Sequence, residues 1–108
     1  MNTDNTISII STLISGIDRC GVYIGTNDWL KIAAELNCEV TLKAPELMMK
    51  DIISFAQENM KARALNSLII ELFENRISEY EELEKEFASA TFSYTLNAKS
   101  SLQLLQKV

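Results

Sequence analysis

The sequence predicts a mainly α-helical fold, a small bundle of about four helices in which the third helix is long. Two observations predict it. No glycine or proline occurs after Pro45, so the chain from Glu46 to Val108 contains no strong helix breaker. Apolar residues recur along this stretch at three- and four-residue steps, the period of one helix face. With 108 residues, the chain has the length of one ordinary domain, and we expect 1–108 to form a single helical domain.

The first quarter of the chain contains all three glycines and predicts two shorter helices. Asp4 can cap the first helix, whose apolar residues continue to Ile17 before CGVYIG (20–25) ends it. The second helix is expected to begin with Thr26 or Asn27 as its cap, and Asn37 can close it, because asparagine tolerates the left-handed conformation. One face of this helix is apolar and consists of Trp29, Ile32, Ala33 and Leu36.

The third helix is predicted to begin at Pro45, since proline suits the first turn of a helix. Its apolar stripe continues to about residue 87. A continuous helix of that length would be roughly 60 Å long, about twice the width of a small domain. We therefore expect this segment either to break into a helical hairpin or to pair with another chain.

The segment ATFSYTLNA (90–98) fits two patterns. Its apolar residues alternate as in a half-buried strand, but they also continue into SLQLLQKV at helical spacing. We favour a helix, because the last residues are good helix formers and no glycine-rich turn supplies a hairpin partner. The alternative is an α+β fold with a small sheet from 20–25, 38–44 and 90–98.

Two asparagines, Asn59 and Asn66, fall where the apolar stripe of the third helix should continue. Counted in heptads, both lie on a coiled-coil seam, where asparagine can fix the register of paired helices. In a straight helix both move to the shoulder of the stripe. We favour the shoulder, because Arg76 interrupts the same seam, and there Asn66→Leu should change little.

The residue types present exclude much catalytic chemistry. The chain has no histidine, which removes the commonest general base and the usual zinc ligand sets, and it has no glycine-rich phosphate loop. Its net charge is −5, and its ten basic residues are scattered singly, which argues against nucleic-acid binding. We expect a protein that is not an enzyme and has no catalytic residue, no cofactor and no metal site.

Two alternatives stay open. The first is a Mg²⁺-dependent all-α hydrolase, because carboxylates one helical turn apart can present oxygen ligands to a hard cation. These carboxylates belong to Glu71, Glu74, Glu79 and Glu82. The second is a small helix-turn-helix transcription regulator, in which Lys43 and Lys50 would contact DNA after the helix 29–36.

No segment predicts export or membrane insertion. The apolar segment ISIISTLISGI (7–17) is about half the length that a membrane-spanning helix needs. No lysine or arginine precedes Arg19, so the charged start of a signal peptide is missing. We therefore expect a cytoplasmic protein without membrane contact, whose Cys20 and Cys38 are reduced and buried.

The clearest indication of function is the stretch ALNSLIIELF (64–73), which is apolar around most of its circumference. Such a helix is buried on several sides, inside a bundle or between subunits, and aspartate at Leu68 or Ile69 should abolish folding or assembly. We predict a non-catalytic protein–protein interaction module, an adaptor, chaperone-like or regulatory factor, that binds itself as a homodimer and one unidentified protein. The predicted interface comprises Trp29, Leu65, Leu68, Ile69, Leu72, Phe73, Ile77 and Tyr80.

Overall fold

Four helices follow one another in the computed structural model, which describes residues 21–86 and 92–107 and, of these, not the side chains of 92 and 93. They are α1 (Thr26–Leu36), α2 (Pro45–Glu58), α3 (Ala62–Glu84) and α4 (Phe92–Gln106). This order confirms the predicted mainly α-helical bundle. No strand occurs in 21–86 or 92–107, so the alternative sheet does not form there. The helix predicted from Asp4 to Ile17 lies outside the described residues.

Helix α1 ends at the residue that the sequence predicts, but the residue that caps its N-terminus is not one of the two predicted. The N-cap is Gly25 rather than Thr26 or Asn27, and the Gly25 amide donates a hydrogen bond to Asp28 Oδ2 at 2.9 Å. At the other end Asn37 has a φ of 59°, and the next amide, that of Cys38, donates to the Ala33 carbonyl at 2.8 Å. This pattern is the left-handed closure expected of asparagine.

The long segment from Pro45 is two helices that pack on each other. Helix α2 begins at Pro45, as predicted, and stops at Glu58. Met60 then has a φ of 56°, and the Lys61 amide donates to the Ala56 carbonyl at 2.7 Å, which closes α2. The Lys61 ammonium also donates to the Leu36 carbonyl at 2.7 Å and so caps the C-terminal end of α1. The predicted stretch to residue 87 is therefore a hairpin within the chain.

Helix α3 is the centre of the bundle, because α1, α2 and α4 all pack against it. Its buried side chains recur mostly at three- and four-residue steps, so one stripe faces the core along most of its length. They meet large buried side chains of the other three helices, and the core so formed includes Trp29, Met48, Ile52, Leu65, Ile69, Phe73, Ile77 and Leu105.

Helix α4 confirms the prediction of a helix rather than a strand for the described part of 90–98. Its buried side chains are mostly small or polar: Thr95, Ala98, Ser101 and Leu105. Small side chains allow α4 to approach α3 closely, and these two helices share the most extensive contact in the bundle. None of the described helices is both long and apolar enough to cross a membrane.

Asn66 holds the end of α4 against α3. Its side chain is only 8% exposed, and its Nδ2 donates to the Leu105 carbonyl at 3.0 Å. That carbonyl belongs to the last turn of α4, where backbone oxygens have no donor within the helix. Asn66 thus lies on the buried face, and the prediction that it lies on the shoulder of the stripe is wrong. Asn59, by contrast, is exposed and caps α2 through a bond from Nδ2 to the Phe55 carbonyl at 2.9 Å.

Candidate functional site

Five of the eight residues predicted for a partner interface are buried in the chain's own core: Trp29, Leu65, Ile69, Phe73 and Ile77. The many apolar side chains at 64–73 pack largely within the chain itself, because three helices cover α3. Leu68, Leu72 and Tyr80 are partly buried and keep some exposed surface. Tyr80 is also engaged internally, since its hydroxyl donates to the Gly21 carbonyl at 2.8 Å. Leu68 and Leu72 are therefore the predicted interface residues best placed to contact a partner.

Leu68 and Leu72 line a groove between α1 and α3 with a volume of about 660 Å³. We call it the α1–α3 groove. From α1 the exposed Ala34 and the largely buried Ile32 line it, so most of its apolar surface comes from α3. Carboxylates stand beside this apolar surface on both helices: Glu35 on α1, and Glu71 and Glu79 on α3.

One end of the α1–α3 groove is fixed by an ion pair. Arg76 Nη2 lies 2.8 Å from Asp28 Oδ2, and each side chain is about a quarter exposed. The same oxygen accepts the Gly25 amide, so the pair joins the start of α1 to the middle of α3. Arg76, the residue that interrupts the heptad seam in the sequence, is thus the cation of an ion pair between α1 and α3. A lone cation in an apolar stripe suggests a cross-helix partner, but the sequence does not reveal which carboxylate it is.

The α1–α3 groove carries an excess of negative charge. Arg76 compensates Asp28, which leaves three exposed carboxylates and one ammonium, that of Lys31, among the lining side chains. The formal charge of this remainder is −2. Because the carboxylates are exposed and lie beside half-buried leucines, the groove offers apolar contact and attraction for cations together.

A second groove, with a volume of about 580 Å³, lies between the C-terminal half of α1 and residues 38–41. We call it the apolar groove, since Leu30, Ala33, Ala34 and Val40 line it. Cys38 also borders it as a buried free thiol. Burial raises the pKa of the Cys38 thiol and the Asp51 carboxylate raises it further, so the thiol is protonated at neutral pH. The expectation of a buried, reduced cysteine fits Cys38, and Cys20 lies outside the described residues.

The four carboxylates considered for magnesium do not share one site. Glu71 and Glu79 line the α1–α3 groove, whereas Glu74 and Glu82 do not. Glu82 instead pairs with Lys85, 3.1 Å away. Within 21–86 and 92–107, no three side chains of histidine, cysteine, aspartate or glutamate stand close enough together to hold a metal ion.

The connection between α1 and α2 differs from that of a helix-turn-helix unit. Residues 37–44 connect α1 to α2, and this connection is longer than the three- to four-residue turn typical of that unit. Lys43 is one of the two cations expected to contact DNA, and its Nζ lies 2.6 Å from Asp51 Oδ2 of the same chain. Its charge is thus partly compensated before any phosphate approaches.

Comparison with known proteins gives no functional assignment. No protein-family model matches this chain, and none of the curated proteins or solved structures compared with it is significantly similar.

Proposed function

We propose that this chain is a non-catalytic protein–protein interaction module that binds a basic amphipathic helix of a partner protein in the α1–α3 groove. The observation that carries the proposal is the pairing of half-buried Leu68 and Leu72 with exposed carboxylates on both neighbouring helices. An adaptor or regulatory role in the cytoplasm is part of this proposal.

The apolar part of the α1–α3 groove suits a helix. Leu68 and Leu72 are one turn apart on α3, and the exposed Ala34 lines the groove from α1. A helix that lies in a groove between two others presents apolar residues at three- and four-residue steps, which is how amphipathic segments bind helical receptors. Helix α1 has 11 residues and is therefore about 16 Å long, enough to contact about three turns of a partner.

The charged part of the groove determines which helix is suited. Glu35, Glu71 and Glu79 stand on two sides of the apolar surface, so lysine or arginine side chains that flank an apolar stripe would meet a carboxylate on either side. An acidic helix would be repelled by the same three residues, since like charges oppose association. We therefore assign the partner a cationic polar face.

The probe for this proposal is a synthetic helical peptide with leucine at three- and four-residue steps and lysine at the remaining positions. A second peptide of the same pattern carries glutamate in place of lysine. We expect the lysine peptide to bind, with an affinity that falls as salt is added, and the glutamate peptide not to bind. Fluorescence anisotropy of labelled peptides measures both.

Two triple variants separate the α1–α3 groove from general charge attraction. Glu35→Gln, Glu71→Gln and Glu79→Gln together should weaken binding of the lysine peptide by about tenfold. The control removes the same number of exposed carboxylates elsewhere, by Glu46→Gln, Glu58→Gln and Glu74→Gln. It should leave the affinity nearly unchanged. Equal weakening by both triple variants, or equal binding of the two peptides, would refute the proposal.

A further inference from the structure

Ala34 of α1 lines both the α1–α3 groove and the apolar groove. Its side chain is exposed, so it lies on the outward side of α1, between the two grooves. That side chain is a single methyl group, and α1 therefore presents only a low ridge at this position. A chain segment that lies in one groove can cross α1 at Ala34 and enter the other.

The two grooves meet toward the C-terminal end of α1. The ion pair of Asp28 with Arg76 lies at the start of α1, and the contact of Lys61 with the Leu36 carbonyl lies at its end, so α1 and α3 run antiparallel. The apolar groove borders the C-terminal half of α1. Glu35 therefore stands at the end of the α1–α3 groove from which the apolar groove is reached.

The apolar groove resembles the α1–α3 groove in its chemistry. Leu30, which is 37% exposed, and the half-buried Val40 give it apolar surface. Glu39 is the one charged residue among the described side chains that line it, and this carboxylate is exposed. Both grooves thus combine apolar contact with attraction for cations, so a segment with apolar side chains and neighbouring lysine or arginine is suited to both.

We propose that the partner whose basic helix binds the α1–α3 groove also occupies the apolar groove, with a second basic and apolar segment of the same chain that crosses α1 at Ala34. This inference rests on the proposed function, because it extends the same partner. Once the helix is bound, the second segment is held at a high effective concentration beside its groove. A short link between the two segments is sufficient, since Ala34 borders both grooves.

Peptides of two lengths test this inference by fluorescence anisotropy. The short one is the lysine peptide, and two long ones add a second segment of leucine and lysine through a short glycine linker, at the N-terminus or at the C-terminus. We expect one of the two long peptides to bind at least about tenfold more tightly than the short one. A long peptide with serine in place of the added leucines keeps the charge, and it should show little of this gain.

Two double variants locate the gain in affinity. Leu30→Gln with Glu39→Gln changes the apolar groove alone, because neither residue lines the α1–α3 groove. This variant should bind the short peptide as the wild type does and should lose the additional affinity for the long one. The control, Leu104→Gln with Glu86→Gln, removes an exposed leucine and an exposed carboxylate that line neither groove, and it should keep the full gain. Circular dichroism verifies that the helices persist, which is expected because all four side chains are exposed.

The inference and the proposed function fail in different ways. If the short peptide binds and neither long peptide gains affinity, the partner does not reach the apolar groove, and the inference is overturned while the proposed function stands. A gain that persists without Leu30 and Glu39, or that the serine-containing long peptide shows equally, overturns it as well. If no peptide binds, the proposed function itself is refuted.

Discussion

Gly21 is a position where the backbone tolerates no side chain. Its φ is 81°, and a Cβ placed there would overlap the Tyr94 carbonyl oxygen and come within 2.6 Å of the Ala98 nitrogen. Gly21→Ala should therefore lower the free energy of unfolding by about 3 kcal/mol, from left-handed strain and overlap with α4. Urea denaturation followed by circular dichroism measures this loss.

The matched control is Gly25→Ala. A Cβ there would approach the exposed Tyr23 ring at 3.0 Å, and the Gly25 backbone is extended, with φ −91° and ψ −177°. The ring can move aside, but alanine is a poorer N-cap than glycine, so we expect a loss of no more than about 1 kcal/mol. Equal losses in the two variants would mean that α4 does not lie against Gly21.

Single residues show why the sequence prediction succeeded at some positions and failed at others. Asn37 was predictable because the left-handed closure of a helix depends on the residue itself. Met60 adopts the same conformation although methionine is a good helix former, so nothing in its own chemistry marks the break after α2. The contact of Lys61 with the Leu36 carbonyl favours the break there, and that contact exists only in the folded chain.

At the scale of helices, Asn66 links α3 to the last turn of α4, and a change of its donor tests that link. Asn66→Asp is nearly isosteric, but at neutral pH it places a carboxylate against the Leu105 carbonyl in a buried position. We expect a loss of about 3 kcal/mol at pH 7, because an unpaired charge is buried and the carbonyl loses its donor. Asn75→Asp, an exposed change on the same helix, is the control and should cost no more than about 1 kcal/mol, because its new charge is repelled by Glu71 and Glu79 one turn away but stays in water.

The loss caused by Asn66→Asp should depend on pH in a defined direction. Burial favours the neutral carboxyl, so its pKa in the folded variant lies above the value of about 3.9 in the unfolded chain. The protonated carboxyl can donate to the Leu105 carbonyl, so the deficit relative to wild type is smallest below about pH 4. It grows as the pH rises from the unfolded pKa to the folded one. A deficit that does not change with pH would show that the site is open to water.

The whole molecule determines which residues form a surface. The apolar period along α3 predicted Leu68 and Leu72 as interface residues together with Leu65 and Ile69, because a period alone does not separate a covered position from a half-covered one. The carboxylates of Glu71 and Glu79 were visible in the sequence, but only as metal ligands. The place of these two carboxylates beside apolar side chains depends on the packing of α1 against α3. That packing brings together residues about forty positions apart in the sequence.

The difference between Leu68 and Ile69 is the sharpest consequence of this packing. The sequence predicts that aspartate at either position abolishes folding or assembly. In the structure Ile69 is fully buried, whereas Leu68 is half-buried at the α1–α3 groove. Ile69→Asp should cost about 4 kcal/mol or more and remove cooperative unfolding, because the charge cannot reach water. Leu68→Asp should cost about 1–2 kcal/mol and keep the fold, since its carboxylate can turn into the groove.

Thermal unfolding of the two variants, followed by circular dichroism, makes this comparison directly. The variants differ by one position on the same helix and carry the same new charge, so neither helix propensity nor net charge distinguishes them. A cooperative transition in Leu68→Asp and none in Ile69→Asp is the expected result. Loss of the transition in both would mean that Leu68 is covered in solution, and retention in both would mean that α1, α2 and α4 do not enclose α3.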